Sequence, residues 1–120
     1  MKILIVDDEE SITEIFQLIL EDEGYKVDTA SSGKEAISLA EPPYDLVVLD
    51  IKLPDITGDQ VAKVMKERMM ADNIVLMTGY PELVESTWAL DIDIADILVK
   101  PFSPDVLQRL IREVLSTKYN

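Results

Sequence analysis

The chain contains no cysteine and no histidine among its 120 residues. The first absence excludes disulfides and thiolate metal sites. The second removes the usual general base, the usual zinc ligand and any phosphohistidine on this chain. Basic residues are scarce: 11 Lys and Arg stand against 24 Asp and Glu, a formal net charge of −13. Such a chain lacks the basic footprint that nucleic acid or an anionic membrane surface requires. Any anionic group it handles must therefore meet a local exception, either a metal ion or a placed Lys or Arg. Long apolar runs are missing too. The N-terminal run Ile3-Leu4-Ile5-Val6 falls short of the ~7–15 apolar residues of a signal peptide, and no stretch approaches the ~18 of a membrane span. A cytoplasmic, membrane-free location is expected.

What apolar character exists comes in short pieces. Hydrophobic residues make up 48% of the chain, enough for a core. Residues 3–6, 46–49 and 74–77 are continuous apolar runs, the pattern of strands buried on both faces. Residues 25–30 alternate like a less buried strand, and residues 94–99 are a fifth candidate. Helical spacing separates these runs. Ile12, Ile15, Phe16 and Ile19 recur on one face, with Gly24 as the stop. Ser32 can cap a helix carrying Ala36, Ile37 and Ala40, closed by Pro42-Pro43. Gly58 precedes a helix with Val61, Val64 and Met65 on one side. Pro81 fits the first turn of a helix holding Leu83, Val84, Trp88 and Leu90. Ser103-Pro104-Asp105 reads as N-cap, first-turn proline and acid, opening a last helix that runs to about Ser116.

This alternation predicts an α/β fold: a doubly wound, flavodoxin-like, five-stranded parallel sheet in the order 2-1-3-4-5, with about five helices on both faces. No linker, repeat or low-complexity segment appears. One domain over residues 1–120 is expected, with no output domain.

Ligands of such sheets bind outside the carboxyl ends of the strands. Four of the five apolar runs end there in a polar group: Asp7-Asp8, Asp50, Thr78 and Lys100. Singly, each has a plainer explanation. An Asp after a strand is usually a turn residue or cap, a Thr is structural, and a Lys before Pro belongs to a surface loop. Independent plain causes should not all fall on one edge, and three converging carboxylates need a cation. Carboxylates without His or Cys select a hard ion such as Mg²⁺, which keeps positions open for phosphate oxygens. A phosphoryl group in flight spreads its charge over three oxygens. One can be held by the metal, one by Lys100 and one by the Thr78 hydroxyl or a backbone N–H. A carboxylate can act as nucleophile, forming an aspartyl phosphate. In the order 2-1-3-4-5 the fifth strand lies roughly 9–10 Å from the third, a gap that a lysine can span.

Four segments, Val6-Asp7-Asp8-Glu9, Leu49-Asp50-Ile51-Lys52-Leu53-Pro54-Asp55, Met77-Thr78-Gly79-Tyr80 and Val99-Lys100-Pro101-Phe102, together resemble the receiver domain of two-component response regulators. Their order and spacing fit over the whole chain. The resemblance implies that Asp50 is the phosphoacceptor and that Asp7, Asp8, Asp50 and the backbone carbonyl of Lys52 hold Mg²⁺. It implies that Thr78 is the switch hydroxyl and Lys100 the phosphate-binding cation. Gly79 leaves room for the phosphoryl group, and the Lys100–Pro101 peptide is expected to be cis. The implied phosphoryl donor is a histidine kinase or a histidine phosphotransfer protein, the implied recipient of the signal is a downstream protein, and the domain is a switch rather than an enzyme. One position departs from the family pattern. Three residues before the lysine, where the family carries Tyr or Phe, stands Ile97, with no hydroxyl and few χ1 options.

Three other functions compete. A haloacid-dehalogenase-like phosphohydrolase also forms an aspartyl phosphate, but needs a second Asp two residues after the nucleophile, where this chain has Lys52. A nucleotide or flavin module needs a Gly- or Ser/Thr-rich loop after the first strand, where this chain has Asp7-Asp8-Glu9-Glu10. A degenerate receiver acting only as a docking module does not require the full polar set. For output, the last helix is apolar at Val106, Leu107, Leu110, Ile111, Val114 and Leu115, a wide stripe. Together with Trp88 this is either core or a partner or homodimer surface built from the 81–90 helix, the fifth strand and the last helix.

Overall fold

The computed structural model describes residues 1–39, 43–80 and 94–117. Strands and helices alternate: β1 (Lys2–Val6), α1 (Glu10–Asp22), β2 (Lys26–Ala30), α2 (Gly33–Ser38), β3 (Tyr44–Asp50), α3 (Gly58–Glu67), β4 (Ala71–Thr78), β5 (Asp96–Val99) and α4 (Pro104–Thr117). The strands form one parallel sheet in the order β2-β1-β3-β4-β5. This is the expected doubly wound architecture. Four helices lie among the described residues. The helix read over 81–90, with Trp88, falls outside them.

The two-residue period of the strands sorts the core into two layers. Leu4, Val6, Val47, Leu49, Ile74 and Leu76 face one way, against Ala36 of α2 and Val61, Ala62 and Met65 of α3. Ile3, Ile5, Leu46, Val48, Val75, Met77 and Leu98 face the other, against Phe16 and Leu20 of α1 and Leu107, Ile111, Val114 and Leu115 of α4. Because both faces are covered, these strands show unbroken apolar runs.

Local signals hold at most boundaries. Gly24 ends α1 with φ 97, and its N–H donates to the Glu21 carbonyl. Ser32 caps α2, its Oγ accepting the Glu35 N–H at 3.1 Å. Ser103 precedes α4, and its carbonyl accepts the Val106 N–H at 3.1 Å. Other boundaries differ: β3 starts at Tyr44, before the run 46–49, and α2 is described to Ser38, with Ala40 and Pro42 outside the described residues. β4 starts at Ala71, because Ala71 and the polar Asn73 pair with Tyr44 and Leu46 of β3. The Asn73 amide donates to the Asp45 carbonyl at 3.1 Å. β5 is shorter than the run 94–99, although Ala95 still bonds to Ile74.

The apolar stripe of α1 is wider than its buried face. Phe16 and Leu20 are buried, Ile12 and Ile19 only partly, and Ile15 and Leu18 are exposed. At 3.6 residues per turn, Ile15 sits about 100° round from Phe16, off the face that meets the sheet. On α4 most of the stripe is core, and Val106 remains exposed.

Candidate functional site

The carboxyl edge of the sheet gathers the predicted polar residues. Val6 pairs with Leu49, so Asp7 and Asp50 emerge side by side from neighbouring strands. The Asp7 N–H prolongs the ladder to the Ala30 carbonyl at 3.1 Å. Thr78 closes β4, and the Lys100 N–H bonds to the Thr78 carbonyl at 2.8 Å, carrying the ladder one residue past β5. Asp7, Asp50 and Thr78 are 1%, 7% and 4% exposed, whereas Asp8 is exposed. Ligand oxygens of Asp7, Asp8 and Asp50 lie within 4.8 Å of one another.

Lys100 reaches across from the outermost strand. Its Nζ stands 2.9 Å from Asp7 Oδ2 and 3.0 Å from Asp50 Oδ2. The Lys100–Pro101 peptide is cis, as expected. Phe102 stacks on Phe16 of α1, ring centroids 5.5 Å apart. The role of Phe102 was not foreseen; its only trace in the sequence is an aromatic following Lys-Pro and a second one on the buried face of α1.

The remaining contacts shape the opening. Asp7 Oδ1 accepts the Glu9 N–H at 3.1 Å, and Asp50 Oδ1 accepts the Lys52 N–H at 3.3 Å. Thr78 Oγ1 accepts the Tyr80 N–H at 2.9 Å, which leaves its own hydrogen for another acceptor. A cavity of about 280 Å³ is lined by Asp8, Glu9, Asp50, Lys52, Thr78, Gly79, Tyr80 and Lys100. Gly79 is exposed there, and a Cβ on it would touch nothing. The Lys52 ammonium lies 4.4 Å from the centre of the Tyr80 ring. Ile97 is not in the opening. It is half-buried and packs on the core layer shared with α2 and α3.

Burial pushes the Asp50 carboxyl above the ordinary range. Lys100 opposes this by hydrogen bond and charge, and the Asp7 carboxylate adds to it. Burial works against the Lys100 ammonium too, but its bonds to Asp7 and Asp50 outweigh that cost and raise its pKa. Three carboxylates against one ammonium leave the site negative and open to a further cation. The donor set is all oxygen, two of the three carboxylates are buried, and their spacing suits a single ion. These residues fit Mg²⁺.

The chain matches the family model of the response regulator receiver domain over residues 3–112. It belongs to that family. The receiver domain is 40% identical over 114 residues to the response regulator SaeR of Staphylococcus aureus, covering 95% of this chain and 50% of SaeR. It thus spans about half the length of the curated relatives it matches. A response regulator receiver domain protein (CheY-like) from Methanospirillum hungatei superposes with a TM-score of 0.87 at 34% identity, covering 98% of this chain and 94% of the other. The response regulator TrrA of Thermotoga maritima, solved in complex with Mg(2+)-BeF, superposes with a TM-score of 0.80 at 37% identity, covering 95% and 98%. The fold and the assignment to two-component signalling therefore agree with the sequence.

Proposed function

We propose that residues 1–120 act as a Mg²⁺-dependent phosphoacceptor, with Asp50 as the nucleophile and a phosphohistidine on a histidine kinase or histidine phosphotransfer protein as donor. The observation that carries this is the buried Asp50 carboxylate, bonded to Lys100 beside Asp7 and Asp8 at the mouth of the sheet. The TrrA complex with Mg(2+)-BeF supports it by likeness. Asp7, Asp8, Asp50 and the Lys52 carbonyl would hold the ion. Bound Mg²⁺ supplies positive charge to the phosphoryl oxygens in the transition state.

An Asp50 oxygen attacks phosphorus while the P–N bond to the donor imidazole breaks. Its electron pair stays on the nitrogen, which takes up a proton. Lys100 turns from Asp50 to a phosphoryl oxygen, and the Thr78 hydroxyl donates to another. Hydrolysis of the acyl phosphate later releases inorganic phosphate and resets the switch. The domain changes its own state and turns over no other substrate.

The donor docks on the apolar surface of α1. Ile15 and Leu18 are exposed there, and Ile12, Phe16, Pro101 and Phe102 line an apolar groove of about 220 Å³. Lys100 borders both this groove and the acidic cavity, so a partner seated on it lies next to Asp50. Output leaves through the surface at β5 and α4, where Val106 is exposed, toward a downstream protein or a second copy. With Ile97 in place of an aromatic, the response to Thr78 is a change in aliphatic packing without a hydroxyl. The strongly acidic chain favours protein partners over nucleic acid, and the site suits the cytoplasm, where Mg²⁺ and phosphorylated kinases are found. Acetyl phosphate with Mg²⁺ should label wild type and not Asp50→Asn. Label on Asp50→Asn would refute the assignment, and an unlabelled wild type would leave a docking module.

A further inference from the structure

The loop that leaves Asp50 is tied to a different helix. Residues 51–57 belong to no strand or helix. The Ile51 N–H bonds to the Met77 carbonyl at 3.1 Å, and the Gly58 N–H returns to the Ile51 carbonyl at 2.8 Å, closing the loop at its base. A Cβ on Gly58 would collide with the Asp50 carbonyl and Ile51 Cα, so this closure requires glycine. The far side of the loop hangs on Asp55. Its Oδ1 accepts the Gly33 N–H and its Oδ2 the Lys34 N–H, both at 2.9 Å. These are first-turn donors of α2, which no residue within that helix can satisfy. The bond to Lys34 first, then those to Gly33 and neighbouring N–H groups, hold the Asp55 carboxyl down to about 2, so it stays ionised. Beside it, the Ile56 side chain packs so close to Gly33 that a Cβ there would overlap Ile56 and Val61.

We propose that Asp55 is a positioning residue for the metal site: by fastening the 51–57 loop to the start of α2, it fixes where Lys52 presents its carbonyl beside Asp50. The inference rests on the Mg²⁺ reading above. Among the described residues, the Lys52 backbone has one direct restraint between Asp50 and Gly58, its 3.3 Å bond to Asp50 Oδ1, so the pinned end at Asp55 sets the rest of the arc. The coupling runs both ways by linkage. If Asp55 favours the metal-binding shape of the loop, Mg²⁺ in turn favours the docked α2, a short helix with little stability of its own.

The test compares Mg²⁺ affinity by calorimetry in wild type, Asp55→Ala and Ser32→Ala. Ser32 caps the same helix through Glu35 but is not on the loop. Both variants should melt earlier without metal. Only Asp55→Ala should bind Mg²⁺ more weakly, by about tenfold, the low end for outer-shell partners. Amide exchange at Gly33 and Lys34 should slow on adding Mg²⁺ to wild type. Equal affinity in Asp55→Ala and wild type, or equal weakening in Ser32→Ala, overturns the inference. Should Asp55→Ala not fold, Asp55→Asn keeps one acceptor oxygen and should bind several-fold more weakly; wild-type affinity there overturns it as well. A wild type that binds no Mg²⁺ defeats the metal reading itself, and this inference with it.

Discussion

Lys100 follows an edge strand, β5, yet bonds to Asp7 just past the first strand and Asp50 at the end of the third. Its four-carbon stem makes that reach possible. Lys100→Ala should bind Mg²⁺ at least as tightly as wild type, because a competing cation is gone. Its labelling by acetyl phosphate should slow about 100-fold, the scale for loss of one charge-stabilising donor. Wild-type labelling rates would refute the role. Asp50 allows a second prediction. Its folded pKa is raised, so the folded state holds a proton longer than the unfolded chain does, and stability falls as pH rises from the ordinary Asp value through the folded one. The charged Asp50 is thus a burden at neutral pH. Asp50→Asn should raise the metal-free melting temperature by a few degrees, and the gain should vanish below pH ~4. A lower melting temperature at pH 7 would contradict this. Asp50, Thr78 and Lys100 were legible because each ends an apolar run. Asp55 as a staple was not: its partners Gly33 and Lys34 are more than 20 residues away, and in sequence it reads as an ordinary turn aspartate.

The helices and strands show what periodicity captures and what it misses. Unbroken apolar runs located β1, β3 and β4 because both sheet faces are covered. The same spacing overstated the buried face of α1, since period alone does not say how wide a stripe the sheet covers. The surplus, Ile15, together with the exposed Leu18, is what the proposed docking uses. Ile15→Asp should leave acetyl phosphate labelling unchanged, as the site is untouched. Transfer from a phosphorylated histidine kinase domain should slow at least tenfold, consistent with loss of ~1.4 kcal/mol or more at an apolar contact. Equal slowing with both donors would point to a damaged fold, and no slowing with either would remove α1 as the docking surface. The ends of β4 show the opposite limit. Asp72 and Asn73 look like loop residues, but the pairing of Ala71 and Asn73 with β3 draws them into the strand.

For the molecule as a whole, one parallel sheet delivers acidic, basic and hydroxyl groups from four strands to one edge, and that convergence was readable in the sequence. What the sequence could not place was the output. Ile97 packs inward on the layer shared with α2 and α3, and Val106 is exposed on α4. If this face pairs two copies, Val106→Glu should lower the mass of the phosphorylated protein in light scattering from dimer to monomer and leave the unphosphorylated mass unchanged. A phosphorylated wild type that stays monomeric would exclude the homodimer and leave a different protein as the recipient. The labelling, docking and dimerisation expectations depend on one chemical event at one residue. Intact-mass spectrometry after incubation with acetyl phosphate and Mg²⁺ observes it directly. Wild type should gain the mass of a single phosphoryl group, lose it again on removal of the donor, and gain nothing when Mg²⁺ is chelated; Asp50→Asn should gain nothing at all. The same gain on Asp50→Asn, or on wild type without Mg²⁺, would contradict the central claim.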